Sequence, residues 1–146
     1  MNPDLVLAEA RQWLGTPYVH RASCKGAGAD CLGFLLGLCR ALYGPLPLVL
    51  PPYHPHWAET GPELLQEALG HHLRAKALAE AALADVLLFR VKERGPAKHL
   101  GLQSALGPAP RFLHAYGGHG VCESALSAPW ARRLVARYDF PEDWRR

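Results

Sequence analysis

The sequence has no long uninterrupted apolar run, no internal repeat and no low-complexity segment. Its longest apolar stretch, 32–50, is broken by Arg40, Pro45 and Pro47, so we expect no membrane insertion. Its four cysteines include no CxxC pair, which excludes the usual spacing of a zinc knuckle or a thioredoxin-type redox motif. These absences leave a folded domain whose chemistry must come from residues distant in the sequence.

The sequence also has only a small excess of positive over negative charge. There are 16 Lys and Arg residues against 13 Asp and Glu residues, a net charge of +3, and the excess lies mostly in 131–146. Because this excess forms no long basic stripe, we predict no nucleic-acid partner. With 146 residues, 49% of them hydrophobic, the chain suits one core, and we predict a single domain over 1–146.

The amino terminus lacks the pattern of a secretory signal. MNPDLVLAEARQ carries Asp4 and Glu9 where a signal peptide needs basic residues followed by an unbroken apolar segment. We therefore expect synthesis in the cytoplasm without a signal peptide. Free thiols are the expected state of the cysteines in that compartment.

Two segments have the cap and stop residues of helices. The first has Asn2 as its cap and Gly15 after its end, and the second, DCLGFLLGLCRALYG, has Asp30 as its cap and Gly44 after its end. Leucines occupy nearly every side of the second helix. We therefore predict that it is buried and central.

The segment 45–85, which follows the second helix, has a less regular pattern. We predict that the proline-rich segment 45–57 is an ordered surface loop, and that a helix follows with Thr60 as its cap and Pro62 in its first turn. The alanine-rich segment 75–85 is compatible with either a helix or a loop.

The last third of the chain changes to short segments with the pattern of strands: DVLLFRV, HLGLQSAL, RFLHAY, GVCESAL and RRLVARYDF. Turn residues separate them, which predicts an antiparallel meander. The fold class is therefore α+β, with N-terminal helices, including the central helix, packed on a C-terminal antiparallel sheet.

Cys31 lies in the first turn of the central helix, where unpaired N–H groups and the helix dipole are expected to lower the pKa of its thiol. A cysteine nucleophile also needs a base and a group that orients the base. His99 and His114 are 15 positions apart in neighbouring predicted strands. If the turn falls near 107–110, they lie roughly opposite each other and face the Cys31 helix. The alternative is an inert buried cysteine and two half-exposed histidines.

Six motifs occur in the order GTPYVH, GADCLGF, ADVLLFR, KHLGLQ, FLHAY and VCES. Together they resemble the NlpC-type cell-wall cysteine peptidases of the papain-like superfamily, most closely the phage-tail and gene-transfer-agent members. This resemblance implies Cys31 as nucleophile, His99 as base and His114 as the orienting residue. It further implies that Tyr18 lies beside the nucleophile and helps to bind the reacting carbonyl, and that Asp30 shapes the substrate-binding end.

The chain departs from that family's pattern at two positions. Leu32 follows the nucleophile where many members have serine, and Ala84 precedes DVLLF where glycine is usual. The first change affects an expected contact to the substrate's free amine, and the second affects a turn.

The resemblance implies a cysteine endopeptidase that hydrolyses peptide stems of peptidoglycan, at the bond between D-glutamyl and diaminopimelate or lysine, without a metal or organic cofactor. Its expected partners are stem peptides and phage-like tail proteins, and its expected place of action is the cell wall, as part of a phage-like particle. Three alternatives remain open. They are an amidase or acyltransferase with the same Cys-His-His site, a non-catalytic tail-assembly or wall-binding module, and a metal site built from Cys24, Cys31 and nearby histidines.

Overall fold

The structure is a computed structural model that describes residues 1–46 and 61–145. The predicted loop over 47–57 and the predicted cap Thr60 lie outside these residues. In chain order the elements are α1 Pro3–Arg11, β1 Ser23–Cys24, β2 Gly28–Ala29, α2 Cys31–Tyr43, α3 Leu64–His72, β3 Arg74–Lys76, β4 Val86–Arg90, β5 Ala97–Ala105, β6 Arg111–Tyr116, β7 Gly120–Ala125, α4 Ala128–Ala131 and β8 Leu134–Asp139.

The first two helices begin at the predicted caps. The side chain of Asn2 accepts a hydrogen bond from the backbone N–H of Asp4 at 2.8 Å, and Asp30 accepts one from the N–H of Gly33 at 2.7 Å. Helix α2 ends at Gly44, whose φ of +79° favours glycine. Most side chains along α2 are buried, among them Phe34 and Leu38, which confirms the predicted buried central helix. No helix in 1–46 or 61–145 is both long and apolar enough to cross a bilayer.

The segment before the sheet differs from its prediction in two respects. Helix α3 begins at Leu64, with Glu63 at its cap position, so Pro62 precedes the helix and does not lie in its first turn. The ambiguous segment 75–85 is not a helix, because it contributes to the short strand β3 and then forms a turn. In that turn the backbone N–H of Ala82 donates to the Asp85 carboxylate at 2.8 Å.

The five predicted strands are all present, and β4 to β7 form the predicted meander. The six-stranded antiparallel sheet has the order β3-β8-β4-β5-β6-β7. The meander prediction was wrong for the last strand, since β8 pairs with β4 and not with β7. A buried ion pair between Arg137 of β8 and Asp85, at 2.8 Å, together with a bond from Arg137 to Gln103 at 2.8 Å, ties β8 to this position.

The two faces of the sheet carry separate apolar clusters. One face packs on α1 and α2, and the other is covered by α4 and its flanking residues. Side chains of the α2 face include Val86, Leu88, Leu100, Leu102 and Leu113. Those of the α4 face are Leu87, Phe89 and Phe112, with Trp130 packed on them. Strand alternation therefore decides which face any residue of β4 to β6 can reach.

Candidate active site

The Cys31 thiol lies where the sheet splits. Strands β5 and β6 pair from Leu102 opposite Leu113 onwards, whereas Ala97 and residues 99–101 of β5 pair with β4. The sulfur of Cys31 donates to the backbone oxygen of Lys98 at 3.6 Å, at this open edge of β5. The first residue of α2 thus places its side chain against the backbone of β5.

The pKa of Cys31 is raised to about 11, and burial of the thiol is the largest cause. The backbone hydrogen bond of Leu100 acts in the opposite direction, whereas the nearby Asp30 carboxylate raises the pKa further. The predicted lowering of this pKa was therefore wrong, because the cost of burying a thiolate exceeds the stabilisation that the helix terminus supplies. The thiol is protonated at neutral pH in this structure.

The two predicted histidines lie together. Nε2 of His99 and Nδ1 of His114 are 2.8 Å apart, and the rings contact edge to face. Because Leu102 is opposite Leu113, the same register places His114 on the diagonal from His99 and not directly opposite it. The prediction that they share one face of the sheet is confirmed.

That face is not the one covered by α2. His99 is directly opposite Phe89, and the ring of Trp130 lies 5.3 Å from the rings of both histidines. The prediction that the sheet presents both imidazoles to the Cys31 helix was wrong, because alternation gives the α2 face to Leu100 and its even-numbered neighbours. A hydrogen bond between the Cys31 sulfur and the His99 ring is absent from the contacts of the described residues.

Both imidazoles are held neutral. Burial, and then the charge of His114, lower the pKa of His99 to about 3. Burial, and then His119, lower the pKa of His114 to about 4. A neutral His99 can accept a proton, which is the state that a general base requires.

Sequence reasoning missed two residues of this cluster. The hydroxyl of Ser124 lies 2.9 Å from Nε2 of His114, and Trp130 covers both rings. The pairing of β6 with β7 places Ser124 opposite Phe112, on the histidine face. VCES contained the serine, but no feature of the sequence alone gave it a partner.

Tyr18 lies near Cys31 and Asp30. Burial raises the pKa of Tyr18, and the neighbouring Cys31 and Asp30 raise it further. Tyr18 also forms an isolated bridge with Ala29, which fixes the loop just before α2. Tyr18 is 41% exposed.

Asp30 is buried and holds the loop that leads into the site. Its Oδ1 accepts from the N–H of Gly33, and its Oδ2 accepts from the N–H of Arg21 at 2.8 Å. The ring of His20 approaches the same carboxylate, with Nδ1 at 3.9 Å. This carboxylate thus joins the helix terminus to the preceding loop.

The metal alternative has little support in the part of the chain that the structure describes. No group of three or more His, Cys, Asp or Glu side chains there could hold a metal ion. All four cysteines are free thiols, and Cys24 is exposed whereas Cys39 is buried.

Comparison with known proteins supports the fold alone. No protein-family model matches the sequence, and no curated protein matches it. Among solved structures, the chain is similar to the NlpC/p60 domain of peptidoglycan hydrolase SagA, with 22% identity, a TM-score of 0.64, and coverage of 96% of this chain and 100% of that one.

Two larger proteins are also similar. One is an NlpC/P60 family protein from Bacillus cereus ATCC 10987, with 16% identity, a TM-score of 0.65 and coverage of 96% of this chain. The other is a protein described as similar to lipoprotein, of the NLP/P60 family, from Staphylococcus aureus subsp. aureus Mu50, with 19% identity, a TM-score of 0.62 and coverage of 94%. The chain spans 40% of the length of each. Its α+β fold is that of NlpC/P60 domains.

Proposed function

We propose that this chain is a cysteine peptidase that hydrolyses peptide stems of bacterial peptidoglycan. The observation that carries the proposal is the 2.8 Å contact between His99 and His114, next to the two residues of β5 whose backbone holds the Cys31 thiol. The likeness to the domain of a peptidoglycan hydrolase adds the substrate class. The bond between D-glutamyl and diaminopimelate or lysine is the proposed point of cleavage.

In the proposed reaction His99 takes the proton of Cys31, and the sulfur attacks the amide carbonyl. The amine leaves with a proton from His99, and water then hydrolyses the thioester. Backbone N–H groups at the start of α2 hold the oxyanion, with Tyr18 beside it. The thiol must first turn from the Lys98 carbonyl, to which it donates in this structure, toward His99.

The proposed setting is a phage-like or gene-transfer-agent tail that delivers the domain to the wall. The DCLG within GADCLGF supports this setting, since it resembles the pattern of phage-type members. Tail proteins are then the proposed partners, and no metal or organic cofactor is required by the reaction as written.

A second candidate is a wall-binding or tail-assembly module without turnover. The buried position of the Cys31 thiol, with a pKa of about 11, favours it, because such a thiol is unreactive until it moves. The two candidates differ in one result, which is whether peptidoglycan is cut.

The test is digestion of purified peptidoglycan and of defined stem peptides, with mass spectrometry of the products. The wild-type chain should release a new amine and a new carboxylate at one stem bond, and Cys31→Ala should release neither. Cys24→Ala is the matched control, because this cysteine is exposed and has no place in the proposed reaction. Binding of the wall without cleavage by the wild-type chain would reject the peptidase in favour of the binding module.

A further inference from the structure

The histidine pair continues into a third hydrogen-bonding group. Nε2 of His99 meets Nδ1 of His114 at 2.8 Å, and Nε2 of His114 meets the hydroxyl of Ser124 at 2.9 Å. The hydroxyl in turn lies 3.8 Å from the sulfur of Cys122. These four side chains form one row across β5, β6 and β7.

The row can be polarised in two directions. In the first, the Nε2–H of His99 donates to His114, whose own Nε2–H donates to the Ser124 oxygen. In the second, the Ser124 hydroxyl donates to His114, and the Nδ1–H of His114 donates to His99. A neutral imidazole carries one proton, so the direction decides which nitrogen of His99 keeps a lone pair.

Only the first direction provides a base. It leaves Nδ1 of His99 unprotonated, whereas the second places the proton of His99 on Nδ1 and leaves no lone pair outside the row. The first direction fits the 3.8 Å contact between the Ser124 hydroxyl and the Cys122 sulfur, in which either atom can donate. Its consequence for the proposed reaction favours it, because the row then stabilises the imidazolium that forms when His99 takes a proton.

We propose that Ser124 is a positioning residue that holds the proton of His114 on Nε2 and thereby keeps Nδ1 of His99 available as the base. This inference rests on the proposed function. The Ser124 hydroxyl contacts His114 and Cys122, and it acts on the base through His114.

The surroundings make this role effective. His114 is fully buried, and Phe112 and Trp130 lie against its ring at 4.2 Å and 5.3 Å between centroids. With little access to water, Nε2 of His114 has Ser124 as its recorded hydrogen-bond partner in the described residues. Loss of the hydroxyl would leave a buried donor unpaired, which costs more than loss of an exposed one.

The first measurement is the tautomer of each histidine by long-range proton–nitrogen NMR on protein labelled with nitrogen-15 histidine. The signals of His99 and His114 are identified among those of the eight histidines by their loss in His99→Gln and in His114→Gln. In the wild-type chain both rings should carry the proton on Nε2. In Ser124→Ala the His114 signal should shift toward the Nδ1–H form or a mixture, and kcat for stem-peptide cleavage should fall about tenfold with little change in KM.

Two variants control for a merely structural effect. Ser124→Thr retains the hydroxyl and should restore both the tautomers and kcat. Ser127→Ala removes a serine three positions away whose side chain makes no capping hydrogen bond, and it should change neither.

A proton on Nδ1 of His114 in the wild-type chain would overturn the proposal, as would unchanged tautomers in Ser124→Ala. Expected tautomers in a chain that cuts no wall substrate would instead reject the hydrolase and leave the polarity of the row standing. The NMR spectra therefore test the role of Ser124, and the digestion tests the proposed hydrolase independently.

Discussion

Arg21 has a backbone conformation that few residues other than glycine adopt. Its φ is 65°, in the loop between Tyr18 and α2, and its N–H donates to the Asp30 carboxylate at 2.8 Å. Ala84 has a φ of 68° and is buried. It stands where the resembling family usually has glycine, so that departure places a left-handed backbone on a residue with a Cβ. Both positions carry a conformational cost of about 1–2 kcal/mol.

The first prediction concerns this cost at Arg21. Arg21→Gly should have a free energy of unfolding about 0.5–1 kcal/mol higher than that of Arg21→Ala, after the larger chain entropy of glycine in the unfolded state is included. Both variants lose the arginine side chain, so their difference isolates the backbone. Urea denaturation measures it, and equal stabilities would contradict the assigned conformation.

At the scale of elements, the close contact between α1 and α2 sets the position of the central helix and hence of Cys31. A Cβ at Gly37 of α2 would lie 2.2 Å from Cζ2 of Trp13, just past the end of α1. Trp13 in turn contacts Phe34 edge to face, with 5.8 Å between ring centroids. A glycine in the middle of a helix is locally unfavourable, and here this close approach requires it.

Gly37→Ala should therefore lower the free energy of unfolding by about 1–3 kcal/mol, because the bulky Trp13 ring must move. Gly70 of α3 is the matched control, since it is helical and exposed, and no atom lies within 4 Å of its added Cβ. Gly70→Ala should raise stability by about 0.5–1 kcal/mol through helix propensity alone. Thermal and urea unfolding of the two variants would show opposite signs, and a shared sign would argue against this packing of α1 on α2.

At the scale of the whole molecule, the sheet buries polar groups on the α4 face and around Arg137. Arg137 binds Asp85, just before β4, and Gln103 of β5, and so joins β8 to both segments at one end of the sheet. His99 and His114 are buried toward the other end and are neutral. A buried histidine gains an unpaired charge when it takes up a proton, so His99 and His114 make the free energy of unfolding depend on pH.

The free energy of unfolding should be highest above about pH 6.5, which is the pKa of a histidine in the unfolded chain. It should fall as the pH approaches the folded pKa values of about 3 for His99 and about 4 for His114. Between these pKa values the unfolded chain binds more protons than the folded chain, so a lower pH favours unfolding. A histidine such as His114 should lose about 2 kcal/mol of its contribution by pH 5.

Urea unfolding between pH 7.5 and pH 5 tests this expectation. His114→Gln should flatten the dependence, whereas substitution of His71, which lies on the surface, should not. A wild-type stability that is independent of pH over this range would show that the imidazoles are accessible to water in solution.

The sequence by itself determined the features that depend on neighbours in the chain. The caps at Asn2 and Asp30, the end of α2 at Gly44 and the identity of each strand follow from side chains within a few residues of one another. The proximity of His99 to His114 also followed, because a hairpin relates residues by their distance from the turn.

The tertiary structure alone decided the rest. The insertion of β8 beside β4, the split between β5 and β6 that receives the Cys31 thiol, and the face on which the histidines lie all depend on contacts between distant segments. The same is true of the raised pKa of Cys31, since burial is a property of the assembled core and not of the helix that carries the residue. Ser124 became visible only when β7 paired with β6, because a hydroxyl acquires a partner from the register of two strands and not from the local sequence.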